Sequence, residues 1–131
     1  MAPMLITAPA PLNLNELQRY VQRVGDRFAL DAARLGGARV EDLRGAPLQR
    51  ERGDEFVVVL VSAAFAEIPW LERVYQAASP WDAEEMGDRA DVHCYTPAEL
   101  ERRRITLPTV ARIVAEGVDL LADDRELARS H

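Results

Sequence analysis

Asp91-Val-His-Cys-Tyr-Thr-Pro-Ala-Glu-Leu-Glu101 reads as a strand that runs directly into a helix. Asp91, His93 and Tyr95 alternate onto one face, and Val92 and Cys94 take the other. Thr96 then supplies an N-cap, Pro97 fills the first helical position, and Glu99 stands where a capping box needs it. A carboxylate at Asp91 occupies a strand position that a purely structural sheet fills with an apolar residue. Upstream, Glu55-Phe-Val-Val-Val-Leu-Val-Ser62 is a second strand entered from an acid, and its continuous apolar run predicts burial on both faces. Two neighbouring strands that each offer a carboxylate would form a cradle for a divalent metal.

Outward from these strands the pattern is helical. Asn13 caps a helix with Glu16 at the capping-box position, and Leu14, Leu17, Tyr20, Val21, Val24 and Phe28 form its apolar stripe. A short strand around residues 32–35 ends at Gly36-Gly37, a pair suited to a tight turn or a close backbone approach. Residues 38–53 are polar, carry Arg39, Arg44, Arg50 and Arg52, and read as a long mobile loop with room for one helical turn near Glu41. Residues 64–78 predict a helix interrupted or restarted at Pro69, with Trp70, Leu71, Val74 and Tyr75 available for packing. Residues 97–103 and 108–116 predict two more helices, the second ending at Gly117, and residues 118–121 an edge strand. The domain expected is residues 13–121, preceded by an irregular lead-in (1–12) and followed by a charged tail (122–131). Its class is α/β (α+β), a small mixed β-sheet flanked by helices.

Composition narrows the function. At 131 residues the chain can bury a core without staples, and 48% apolar with 29% charged residues is globular. Cys94 is the single cysteine, so no internal disulfide is possible, and a reducing, cytoplasmic setting is expected. No apolar run spans a membrane, and the first residues lack the pattern of a signal peptide. The chain has no lysine among its 16 basic residues, which excludes lysine Schiff-base chemistry and a P-loop. A net charge of −6 argues against a broad nucleic-acid-binding surface, although basic patches at residues 44–52 and 102–104 suit a phosphorylated ligand.

The stretch from Asp54 to Leu121 resembles the small nucleotidyltransferase domains of the DNA polymerase beta superfamily, of the minimal nucleotidyltransferase type. The residues that carry the resemblance are Glu55-Phe-Val-Val-Val-Leu-Val-Ser62, Phe65, Ile68-Pro-Trp-Leu-Glu-Arg73, Trp81-Asp82, Asp91 to Glu101 and Glu116-Gly-Val-Asp-Leu-Leu121. The resemblance implies a nucleotidyltransferase-like fold. It also implies a Gly-Ser turn that holds a nucleoside triphosphate, an Asp-x-Asp pair and a third Asp that together bind magnesium, and transfer of a nucleotide to a hydroxyl. Carried onto this chain, the Gly-Ser turn aligns with Gly36-Gly37 and loses its hydroxyl. The Asp-x-Asp falls on Gly53-Asp54-Glu55, so one carboxylate becomes glycine and the other becomes the longer Glu55. Asp91 matches the third Asp.

The apparatus implied is therefore partial. Glu55 and Asp91 are the candidate catalytic and metal-binding residues, and Gly36, Gly37 and Arg39 the candidate contacts for the NTP, with Mg2+ the cation. The resemblance favours a degenerate, weakly active or inactive member that binds nucleotide or a protein partner; the alternative is an active Mg-dependent nucleotidyltransferase. Family context adds a helical partner of the HEPN type, in a toxin–antitoxin-like pair. A structural subunit with no nucleotide contact is the third reading. Beside these stand plainer readings of the same residues: Asp91 paired with Arg89 or Arg39, Glu55 as a solvated strand-start residue, and His93 as a hydrogen-bonded structural histidine.

Overall fold

The computed structural model describes residues 12–37, 39–40 and 55–121. In chain order the elements are α1 (Leu14–Gly25), β1 (Ala32–Gly36), β2 (Phe56–Val61), a 3₁₀ turn (Ala63–Glu67), α2 (Trp70–Ala78), α3 (Ala83–Met86), β3 (Ala90–Tyr95), α4 (Pro97–Thr106), α5 (Pro108–Glu116) and β4 (Val118–Asp119). Arg39 and Val40 are helical, and the rest of the expected 38–53 loop lies outside the described residues, as do Gly53, Asp54, residues 122–131 and all of the lead-in but Leu12.

The four strands form one mixed sheet in the order β3-β2-β1-β4. β1 is antiparallel to β2 and to β4, whereas β2 and β3 run parallel. This is the α+β class that the order of elements predicts, with helices on both faces of the sheet. All six residues of β2 are buried, because the sheet alternates them between two apolar layers. Phe56, Val58 and Leu60 join Ala33, Leu35, Val92 and Cys94 against Leu17, Tyr20 and Val24 of α1 and Ala77 of α2. On the opposite face Val57, Val59, Val61 and Tyr95 pack with Val110 and Ile113 of α5.

α1 keeps its predicted stripe from Leu14 to Val24 but ends at Gly25, so that Phe28 reaches the core from the bend that follows, and its N-terminus is only half a capping box. Asn13 Oδ1 accepts from the Glu16 amide at 3.1 Å. The Glu16 carboxylate, itself buried, turns instead to Arg19 and Arg23. Arg23 also donates to the Pro80 carbonyl at 2.7 Å, and the Tyr20 hydroxyl donates to Ala77 O at 2.7 Å, so α1 is bonded to the end of α2. Ion pairing thus takes the acid that local capping would have used.

The segment after β2 takes the restarted form of the helix expected there, with a 3₁₀ turn in place of its first part. Ser62 caps the 3₁₀ turn, Ile68 and Pro69 are extended, and α2 begins at Trp70. The packing face of α2 also differs from the expectation. Arg73 and Ala77 point inward, whereas Leu71 and Tyr75 are 80% and 70% exposed. An arginine holds the inner position because acceptors wait there.

α4 carries the full capping box. Thr96 Oγ1 accepts from the Glu99 amide at 3.2 Å, and Glu99 Oε1 accepts from the Thr96 amide at 2.9 Å. Glu99 simultaneously receives both Nη groups of Arg73, at 2.7 and 3.3 Å. One carboxylate therefore starts α4 and ties it to α2.

Candidate active site

β-sheet register gathers the residues that the sequence singled out. Gly36 of β1 lies opposite Val57 of β2, and Val57 lies beside Asp91 of β3. Directly paired residues share a face, so Gly36, Val57 and Asp91 form one cross-strand row that faces the α5 layer. Glu55 precedes β2 at the same end of the sheet. The Gly-Gly turn and both candidate carboxylates thus occupy one end of the sheet.

The two glycines serve different needs. A Cβ on Gly36 would stand 2.6 Å from Ile113 Cγ1, so the absent side chain is what lets α5 sit close. Gly37 has φ 105°, a conformation that disfavours any residue with a Cβ. The chain turns there in a conformation that glycine adopts freely.

Arg39 follows immediately and folds back over the sheet. Its amide donates to the Glu55 carbonyl at 3.1 Å, and its Nε donates to Glu55 Oε1 at 3.2 Å. The guanidinium lies 4.9 Å from the Phe56 ring centroid, a cation–π contact on the α1 side of the sheet. Arg39 and Glu55 are both largely shielded, with 14% and 18% side-chain exposure. Glu55 is therefore an ion-paired residue in this structure, engaged on the side where Arg39 lies.

Asp91 has different company. Its Oδ2 lies 3.0 Å from His93 Nε2, and His93 Nδ1 lies 3.2 Å from the Tyr95 hydroxyl. Carboxylate, imidazole and phenol form a hydrogen-bonded chain along alternate positions of β3. Asp91 is the exposed end of that chain and Tyr95 the buried end. Burial raises the Tyr95 hydroxyl above the ordinary tyrosine value, with the Arg103 charge pulling it back. Of the plainer readings, the hydrogen-bonded histidine is the one seen, and its partner is Asp91. A hollow of about 290 Å³ lined by Asp88, Arg89, Ala90 and Asp91 opens beside it.

As a magnesium centre this donor set does not fit. Mg2+ requires near-ideal octahedral oxygen ligation, but Glu55 is bonded to a guanidinium and Asp91 to an imidazole. Among the described residues no group of three or more His, Cys, Asp or Glu side chains is arranged to hold a metal ion.

Arg73 is the charged residue that sequence reasoning missed. It is 7% exposed and donates to Ile68 O at 2.7 Å and Cys94 O at 3.3 Å as well as to Glu99. The Arg73 hydrogen bonds hold the Glu99 carboxyl below its ordinary value against the opposing effect of burial. An arginine at an inward helical position, four residues before Ala77, was the available signal.

Among the described residues no helix is long and apolar enough to cross a membrane. No family model matches the chain, and no curated protein matches it. A crystal structure of a protein from Sulfolobus solfataricus, described as a "putative nucleotidyltransferase", is similar at 20% identity and a TM-score of 0.44, over 68% of this chain and 71% of that one.

Proposed function

We propose that this chain is a nucleotidyltransferase-like protein that binds a nucleotide at the Gly36-Gly37 end of its sheet, with nucleotide transfer slow or lost. What supports the reading is the cross-strand row Gly36–Val57–Asp91, which sets a left-handed glycine turn and a solvent-facing carboxylate at one end of the sheet. Backbone at such a turn suits phosphate, because amide groups can approach a ligand without a side chain between them. Gly53 has no group to ligate a cation, and Glu55 is held by Arg39. Binding then outlives catalysis in this chain.

Arg39 makes the reading specific. To contact a phosphate it must exchange Glu55 for the ligand, a substitution of one charge-assisted pair by another. Calorimetric titration with ATP, with and without magnesium, tests this directly. Binding without a magnesium requirement is expected, and Glu55→Ala should tighten it by freeing Arg39. Loss of ATP binding in Glu55→Ala, restored by no concentration of magnesium, would overturn the role given to Arg39. Radioactive ATP tests the catalytic half: robust labelling of the protein or a partner, abolished by Asp91→Ala, would make the chain an active Mg-dependent enzyme. The partner-binding half of the proposal takes a helical protein of the HEPN type as the companion. Co-expression followed by size-exclusion chromatography would reveal the pair.

A further inference from the structure

At the opposite end of β3 from Asp91, where the strand passes into α4, lies a second concavity of about 310 Å³ lined by Trp70, Tyr95, Glu99, Arg102, Arg103 and Thr106. Its charge is not balanced. Glu99 gives both carboxylate oxygens to Arg73, and the neighbouring Arg104 is paired with Glu101. Arg102 and Arg103 have no carboxylate within ion-pairing distance among the described residues. They follow Glu99 by three and four positions, the spacing that presents them on one face of α4. Two uncompensated guanidinium groups on a protein of net charge −6 constitute a local positive site.

Beside them Trp70 is 42% exposed, a large apolar surface left in water. Its ring is nonetheless held in place. The Tyr95 ring is 5.5 Å away at 38°, and the Arg73 guanidinium lies 5.8 Å from its centroid. A fixed indole next to fixed and free arginines is a preorganised platform for a flat ligand, since little side-chain freedom remains to be lost on binding.

We infer that this cleft binds a small planar aromatic anion of about the size of a nucleoside monophosphate, with the ring on Trp70 and the anionic group on Arg102 and Arg103. Its volume lies at the lower end of the range for small-molecule sites, roughly 300–1,000 Å³, which fits a single ring system and one anionic group. Arginine forks recognise phosphate and carboxylate alike, so the shared chemistry is the anion attached to a ring. The site is independent of the Gly36-Gly37 end and of the reading given to it.

The test is calorimetric titration of the intact chain, without magnesium, using AMP, indole-3-acetate, adenosine and inorganic phosphate. AMP or indole-3-acetate should bind at least about tenfold more tightly than adenosine or phosphate, because neither ring nor anion alone satisfies the cleft. Which of the two ring-bearing anions binds names the anionic group. R102A/R103A, at exposed positions, should weaken that binding at least about tenfold. Trp70→Leu should weaken it as well, while Asp91→Ala leaves it unchanged. Absence of binding by both ring-bearing anions at millimolar concentration overturns the inference. So does binding that R102A/R103A leaves intact, or equally tight binding of inorganic phosphate. Binding abolished by Asp91→Ala also overturns it, by assigning the ligand to the other end of the sheet.

Discussion

Arg73 joins three parts of the chain through one guanidinium: the Ile68 carbonyl before α2, the Cys94 carbonyl on β3 and the Glu99 carboxylate on α4. Removing it strands acceptors in a largely dry place. Arg73→Ala should cost about 3 kcal/mol, the lower end of what breaking a buried pair costs, since Glu99 retains some solvent. Urea denaturation measures this directly. The same pair sets an acid dependence. The Glu99 carboxyl is lowered in the native state, so its contribution is complete above the ordinary value of 4.5 and is lost as pH falls through the lowered native value. Glu99→Gln should therefore flatten the fall in stability on acidification, and denaturation midpoints collected at successive pH values would show it. Cys94 behaves oppositely: burial pushes its thiol up to about 12, although Arg73 pulls the other way. The native protein should react with thiol reagents far more slowly than the urea-unfolded chain. Equal rates would mean that the core around β3 opens easily.

Among the elements, α4 is the one whose start is written most completely in its sequence. Thr96→Ala should remove about 1 kcal/mol by deleting the acceptor for the Glu99 amide, and it should also loosen Glu99 towards Arg73. A double-mutant cycle with Arg73→Ala would report that coupling as non-additive stability. What was legible locally has local causes. The apolar run of β2, the stripe of α1 and the Thr96-Pro97 start of α4 all depend on neighbours within a few residues, and each element forms where its pattern predicts. What was misread depends on groups distant in sequence. Glu16 leaves its cap for Arg23, and α2 turns Arg73 inward and Leu71 outward, because acceptors from β3 and α4 lie on that side. The candidate site divides the same way. Strand alternation gave Asp91 its face and its neighbour His93, but the pairing of Glu55 with Arg39 joins residues sixteen apart and has no local signature.

For the whole molecule, β2 is the partition between two cores. Val59 belongs to the α5 layer and has no exposed surface, while its neighbours Val58 and Leu60 belong to the α1 layer. Val59→Ala should cost about 2 kcal/mol from lost burial. The loss should appear in one cooperative transition, because the strand ties both layers together. Two resolved transitions in a thermal scan would show that the layers unfold separately. The strand order has another consequence. β3 stands at the margin of the sheet, pairing through β2 on one side only among the described residues. A margin of this kind is an invitation to other chains, and charge is what commonly declines it. Asp91 is the charged, exposed residue on that strand, so the acid that marks the candidate site is also expected to oppose self-association. Replacing it with alanine removes both properties at once. Light scattering should find Asp91→Ala more prone to associate than Asp91→Glu, and any change in ligand binding by the alanine variant has to be separated from a change in association.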